Sequence, residues 1–208
     1  DLSDVIYSIA PTDTPLLSSA AKTQATAVLH EWQTDSLAAA ATNNAVIEGD
    51  EATLDASTAT VRLSNSSQIM DKTVVITGTQ ESVDKAGRAS EIAYQIAKRA
   101  KELKRDMEAT ITGNIAEVAG NASTARKMGT LGAWTITNDN KASDGTTGSG
   151  VGNTARTDGT QRAFTESQLK DVIKSVWTAG GDPSMIMCGH FNKQKLSGFT
   201  GNSTRFDA

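Results

Sequence analysis

The chain has 208 residues, a net charge of −4 and 38% hydrophobic content, with four Phe, two Tyr and three Trp against 27 Thr and 19 Ser. The acidic balance argues against a protein whose main task is to wrap nucleic acid, and the one cysteine, Cys188, excludes an internal disulfide framework or a paired-cysteine metal site. No apolar run approaches the length of a membrane span, and with so few aromatic side chains the core is thin for this length, as in a protein that completes its burial against other copies.

The chain opens DLSDVIYSIAPTDTPLL, with no basic n-region or long apolar h-region, so no secretory leader is visible. Pro11 and Pro15 flank a polar triplet and predict an extended or turning arm over 1–22, which Leu16 and Leu17 pin to a surface. From Gln24 to Ser36 the pattern predicts a strand of roughly 40 Å at about 3.3 Å per residue. Val28, His30, Trp32 and Thr34 fall on one face; Leu29, Glu31, Gln33 and Asp35 fall on the other. An alanine-rich, acidic stretch follows, with a turn signal at Glu48-Gly49-Asp50. A second β-like run extends from Thr58 to Gly78, although Ser64 to Gln68 are polar on both faces. Together these form a long hairpin over 23–78. A two-stranded ribbon is marginal alone in water, so either it lies on another subunit or its strands belong to an ordinary sheet.

After a cap at Thr79, the residues Ile92, Ile96, Ala100, Leu103, Met107, Ile111, Ile115 and Val118 form one apolar stripe. This predicts a helix from Ser90 to Val118 within a unit spanning 79–136. Gly87 makes its first turns a separate piece, and Gly120-Asn121 suits its end. Residues 137–163 carry five glycines among polar residues and read as a mobile surface loop. Thr165-Glu166 then opens a helix with Leu169, Val172, Ile173, Val176 and Trp177 on one side. Met185 to Cys188 reads as a short buried strand, and His190 to Leu196 as a further helix. The order indicates an α/β layer over 164–208.

No catalytic constellation is legible. A strand places His30 opposite Glu31 and Asp35, and no HExxH or glycine-elbow serine accompanies them. Cys188 ends an apolar run, where a cysteine behaves as an inert small hydrophobe; an enzyme built on Cys188 and His190 is the third-ranked reading. The run KRAKELKR, residues 98–105, has five basic residues in eight. Lys98 with Glu102, and Lys104 with Glu108, stand at pairing distance on a helix. The run is then either a solvated face or a contact with nucleic acid or a neighbour's acidic patch. The tip residues Glu48, Asp50, Glu51 and Asp55 provide such a patch. No cofactor is implied.

The order PTDTPLL, HEWQTDSL, DKTVVITGTQESVDKAGR, AKRAKELKRDMEATITGN and AEVAGNASTARKMGTLGAW resembles tailed-phage major capsid proteins. The resemblance implies an α+β, Hong Kong 97-like fold with an N-terminal arm, an extended β-hairpin loop, a spine helix and a partial axial α/β domain. It implies a structural, non-enzymatic protein that forms hexamers and pentamers of an icosahedral head. Its partners would be its own copies, a portal, decoration proteins and packaged double-stranded DNA, with the shell assembled in the host cytoplasm. The candidate contacts between subunits are Trp32, Arg62, Glu48, Asp50, Glu51, Lys98, Arg99, Lys101 and Arg105. Members of the family run well past 208 residues, so the axial domain is expected to be incomplete here. No lysine lies between Lys22 and Lys72, so a loop-to-neighbour lysine crosslink is not expected. A flagellin-like or surface-layer filament protein is the alternative from another class, and a cargo-holding shell compartment is the alternative within the fold.

Overall fold

The computed structural model describes residues 13–52, 54 and 56–199. Residues 1–12 of the expected arm, Asp55 and the stretch 200–208 lie outside the described residues. The fold is mixed: a two-stranded antiparallel sheet, one long helix and five shorter ones, in that description.

The arm is not wholly extended. Pro15–Ser19 forms a short helix, α1. Proline's fixed φ and missing N–H suit the first turn of a helix, which the expectation of an extended or turning arm overlooked. The backbone N–H groups of Leu16 and Leu17 donate to Glu108 Oε1 and Oε2 at 2.9 and 2.8 Å. One carboxylate from the long helix therefore satisfies two of the free donors at the start of α1. Leu16 and Leu17 are half-buried, as the pinning role requires.

The hairpin consists of β1, Leu29–Thr34, and β2, Val61–Ser66. The register runs from Leu29 opposite Ser66 to Thr34 opposite Val61. Both strands are shorter than the residue pattern predicts. Beyond Thr34 and before Val61 the described residues are irregular, apart from a turn in which Asp50 N–H donates to the Ile47 carbonyl at 3.1 Å. The run from Leu37 to Ala41 has no β-branched residue to sustain a ladder.

The long helix is divided as its glycine suggests. Gly78–Ser82 forms α2, capped by Thr77 rather than Thr79, and Glu91–Ile111 forms α3, capped by Ser90. Glu81 of α2 accepts the N–H groups of Glu91 and Ile92 at 2.9 and 3.2 Å, so its carboxylate joins the two pieces. With 21 residues, α3 is roughly 31 Å long. It ends about two turns before the predicted Val118. Thr110, Ile111 and Thr112 are β-branched, and the Thr112 hydroxyl donates to the Glu108 carbonyl at 2.8 Å. Gly113 follows, and Ile115 and Val118 leave the stripe. Val118 pairs with Lys127 in an isolated bridge.

The stripe itself is only partly covered: Leu103 and Met107 are half-buried, whereas Ile92, Ile96 and Ala100 are exposed. Among the described residues Ala133 is the buried hydrophobic one, and Ser66, Glu91 and Thr130 are the buried polar ones. Polar bonding, not an apolar core, organises the centre. Thr130, 1% exposed, takes the Ile115 N–H on its hydroxyl at 2.8 Å and donates to the Gly113 carbonyl at 2.8 Å. The short helix α4, Leu131–Trp134, starts directly after it.

Composition alone makes 137–163 a mobile loop, but its glycines permit close backbone approach. A Cβ at Gly148 would lie 2.3 Å from the Ala133 carbonyl oxygen, and one at Gly152 would meet the Trp134 ring at 2.8 Å. Thr146 pairs with Thr157, and Asn114 bonds the Arg156 N–H and carbonyl at 3.0 and 2.7 Å. The segment is folded against α4 by these contacts.

Helix α5, Glu166–Thr178, has the expected start, with a capping box between Thr165 and Gln168. Helix α6 spans His190–Leu196. The buried strand expected at Met185–Cys188 is absent: these residues are irregular and exposed. An apolar run becomes a strand only against a partner edge, and none of the described strands reaches it. Trp177 of α5 is 73% exposed, so this apolar layer is also open.

Candidate intersubunit interface

The hairpin presents two different surfaces. At its base, Trp32 lies on Trp134 of α4 with ring centroids 5.2 Å apart, and His30 lies 5.8 Å from Trp32. Trp32, a candidate contact with a neighbour, is thus half-buried against its own chain. His30 is a member of this aromatic row, apart from Glu31 and Asp35. Glu31 pairs with Arg62 across the hairpin, and both side chains are substantially exposed. Asp35 accepts the Ser36 N–H at 2.8 Å.

Past Thr34 the character changes. Leu37 is 99% exposed, Val46 86%, Ile47 77% and Leu54 100%. Glu48, Asp50 and Glu51 are exposed beside them. Isolated apolar side chains on a surface are ordinary, but these four lie in one irregular excursion with polar surroundings. The tip therefore combines apolar anchors with a negative rim, the composition of a binding surface.

On α3, Lys98, Lys101 and Arg105 are exposed, and Arg99 is half-buried. The expected pairs do not form. Glu102 bonds Arg99, at 2.6 Å, and Glu108 is engaged by α1. The Arg99 hydrogen bond, with the adjacent positive charges, holds the Glu102 carboxyl below its ordinary value. Asp106 pairs with Lys72 at 2.6 Å, bringing the strand-to-α2 connection onto α3. Lys98, Lys101 and Arg105 remain as a positive strip, on the opposite side of α3 from the uncovered Ile92, Ile96 and Ala100. The molecule thus carries an apolar and negative tip and, on α3, an uncovered apolar stripe and a separate positive strip.

Cys188 sits in an irregular exposed segment and His190 begins α6. The depression lined by Asp139, Lys141, Arg156 and Asp158 is self-neutralised, with Lys141–Asp139 at 3.3 Å and Arg156–Asp158 at 3.0 Å. Among the described residues no group of three or more His, Cys, Asp or Glu could hold a metal ion, and no helix is long and apolar enough to cross a membrane.

Comparison with known families is decisive at this point. The family model of the SU10 major capsid protein matches residues 1–208. The chain belongs to the SU10 major capsid protein family. It is also 28% identical, over 227 aligned positions, to the major capsid protein of Escherichia phage Phieco32, a match covering 94% of this chain and 64% of that relative. The chain thus spans just under two thirds of that protein's length. Family membership separates it from the flagellin-like and surface-layer readings and agrees with the resemblance read from the ordered segments. Sequence reasoning missed Asn65, Glu108 and Thr130, which place the hairpin and the arm on the body. The polar stretch Ser64 to Gln68 was the visible signal for the first.

Proposed function

We propose that this protein is a structural, non-enzymatic subunit of a phage head, assembling through its hairpin into hexamers and pentamers of an icosahedral shell around double-stranded DNA. The observation that carries this reading is the exposed tip, where Leu37, Val46, Ile47 and Leu54 have no cover within the subunit. On assembly the tip lies over a neighbouring copy. Glu48, Asp50 and Glu51 face the positive strip of Lys98, Lys101 and Arg105, while the apolar tip residues bury against the neighbour's surface around it. Such a contact is heterologous, and repeated rotation closes it into a ring. The Hong Kong 97-like arrangement then assigns the arm to 1–22, the loop to 23–78, the peripheral domain with its spine helix to 79–136, the glycine-rich excursion to 137–163 and the start of the axial domain to 164–208.

In this reading Trp32 acts at one remove, by fixing the hairpin that carries the contact, and the Arg62–Glu31 pair stiffens the exposed hairpin. Arg99 supports the strip through Glu102. The portal and decoration proteins are further partners, DNA meets the inner face without sequence specificity, and the shell forms in the host cytoplasm before residing in the virion. Electron microscopy of the purified protein tests the proposal. Closed icosahedral particles support it; filaments, or dispersed subunits under all assembly conditions, would sink it.

A further inference from the structure

Four consecutive residues at the end of β2 are tied one by one to the segment 117–129. Asn65 uses both ends of its carboxamide: Oδ1 accepts the Gly129 N–H at 2.8 Å and Nδ2 donates to the Gly129 carbonyl at 2.9 Å. Ser66, buried, donates to Glu117 Oε1 at 2.5 Å. The Ser67 carbonyl accepts from Arg126 Nε at 2.6 Å, and Gln68 Oε1 accepts the Met128 N–H at 3.2 Å. A planar amide bonded to both the N–H and the C=O of one residue reproduces the pairing of an adjacent strand residue. Two bonds from one rigid group fix direction as well as distance, as bidentate contacts do.

Direction matters because the hairpin is a lever. Six residues of β2 extend about 20 Å, so a 10° error at the base displaces the far end by about 3–4 Å. That is comparable to the separation at which apolar side chains touch, about 4.0–4.5 Å. An interface at the tip therefore needs an accurate base.

We propose that Asn65 is a positioning residue that, through its paired bonds to Gly129, sets the direction of the hairpin and so the register of its tip on the neighbouring copy. This rests on the assembly reading above, although the direction itself is a property of the free subunit. Asn65→Asp keeps the acceptor for the Gly129 N–H but sets a carboxylate against the Gly129 carbonyl. In the free subunit, Gly129 amide exchange should quicken by about two- to tenfold, the range for one hydrogen bond. The distance distribution between spin labels at Cys188 and at Ser57→Cys, measured by electron resonance, should broaden, and shells should be lost while the helical circular dichroism is retained. A distribution as narrow as the wild type's, with only a lower melting temperature, would reduce Asn65 to a structural residue and overturn the proposal. So would a broadened distribution with shells at wild-type yield. If Asn65→Asp does not fold, Asn65→Gln, which keeps both polar groups on a longer stem, carries the same comparison. If the wild type itself forms no shells, the assembly reading fails while the label distances still decide the role of Asn65.

Discussion

At the base of the hairpin, Asn65, Ser66 and Gln68 bond to the 117–129 segment and Trp32 lies on Trp134. At the tip, Leu37 and Leu54 are essentially fully exposed, and the described residues between Thr34 and Val61 make no ladder. The base is held mostly by polar bonds within the subunit, although the Trp134 indole N–H beneath Trp32 has no partner among the described residues; the apolar residues of the tip are uncovered. This inverts the usual placement of polar and apolar groups. A protein that stabilised only its own subunit would gain by burying the tip and exposing the base. The inversion makes sense when the tip is covered by another molecule and the base has to aim it. The same contrast holds along α3, where Met107 is half-buried and Ile96 exposed.

The contrast is broken most severely from beneath the base. Thr130→Val keeps the shape but leaves the Ile115 N–H and the Gly113 carbonyl without their hydroxyl partner, at a cost of about 2 kcal/mol. Denaturant unfolding should show that loss, with amide exchange accelerated across 113–130 and unaltered over 37–52. Trp32→Ala removes the ring contacts with His30 and Trp134 from a half-buried site, and should lower stability by about 1 kcal/mol. It should nonetheless impair assembly more than it impairs solubility of the free subunit, since the tip loses its aim. Wild-type assembly by Trp32→Ala would remove the base from the account.

Acidification gives the smallest effect and separates the helices from the hairpin. Glu81 is held below its ordinary value of 4.5 chiefly by its hydrogen bond to Ser90, and Glu91 chiefly by its hydrogen bond to Gln95. Lowered carboxyl values mean that the folded state releases these protons more readily than the unfolded chain. The stabilisation is therefore complete above 4.5 and is lost as pH falls through the lowered values. Amide exchange at Glu91 and Ile92 should quicken below that point, and exchange at the Asn65–Gly129 lock should change less. Equal quickening at both would mean that one cooperative unit links them.

Much of this was legible where local chemistry decides. The Thr165 cap with Gln168, the turn before Asp50, the division at Gly87 and the alternation through Trp32 all follow from the residues. Tertiary context decided the rest. The four apolar residues Met185 to Cys188 have the right composition for a strand, but among the described residues no strand edge reaches them. Helix α3 stops at Ile111 because its β-branched end and Gly113 hand the chain to the Thr130 hub, which no periodicity reveals. Lys104 with Glu108 has good pairing geometry on a helix, yet Glu108 is taken by the α1 backbone. Ser64 to Gln68, polar on both faces, looked like a weakness in a strand. Their polarity is what docks the strand.

The central claim is that a neighbouring copy covers the tip. Hydrogen exchange of residues 37–52 compared between free subunits and assembled particles tests it most directly. The account predicts fast exchange in the free subunit and strong protection in the particle, accompanied by protection around Ile92 to Arg105. Exchange at the tip that is equally fast in particle and subunit would contradict it.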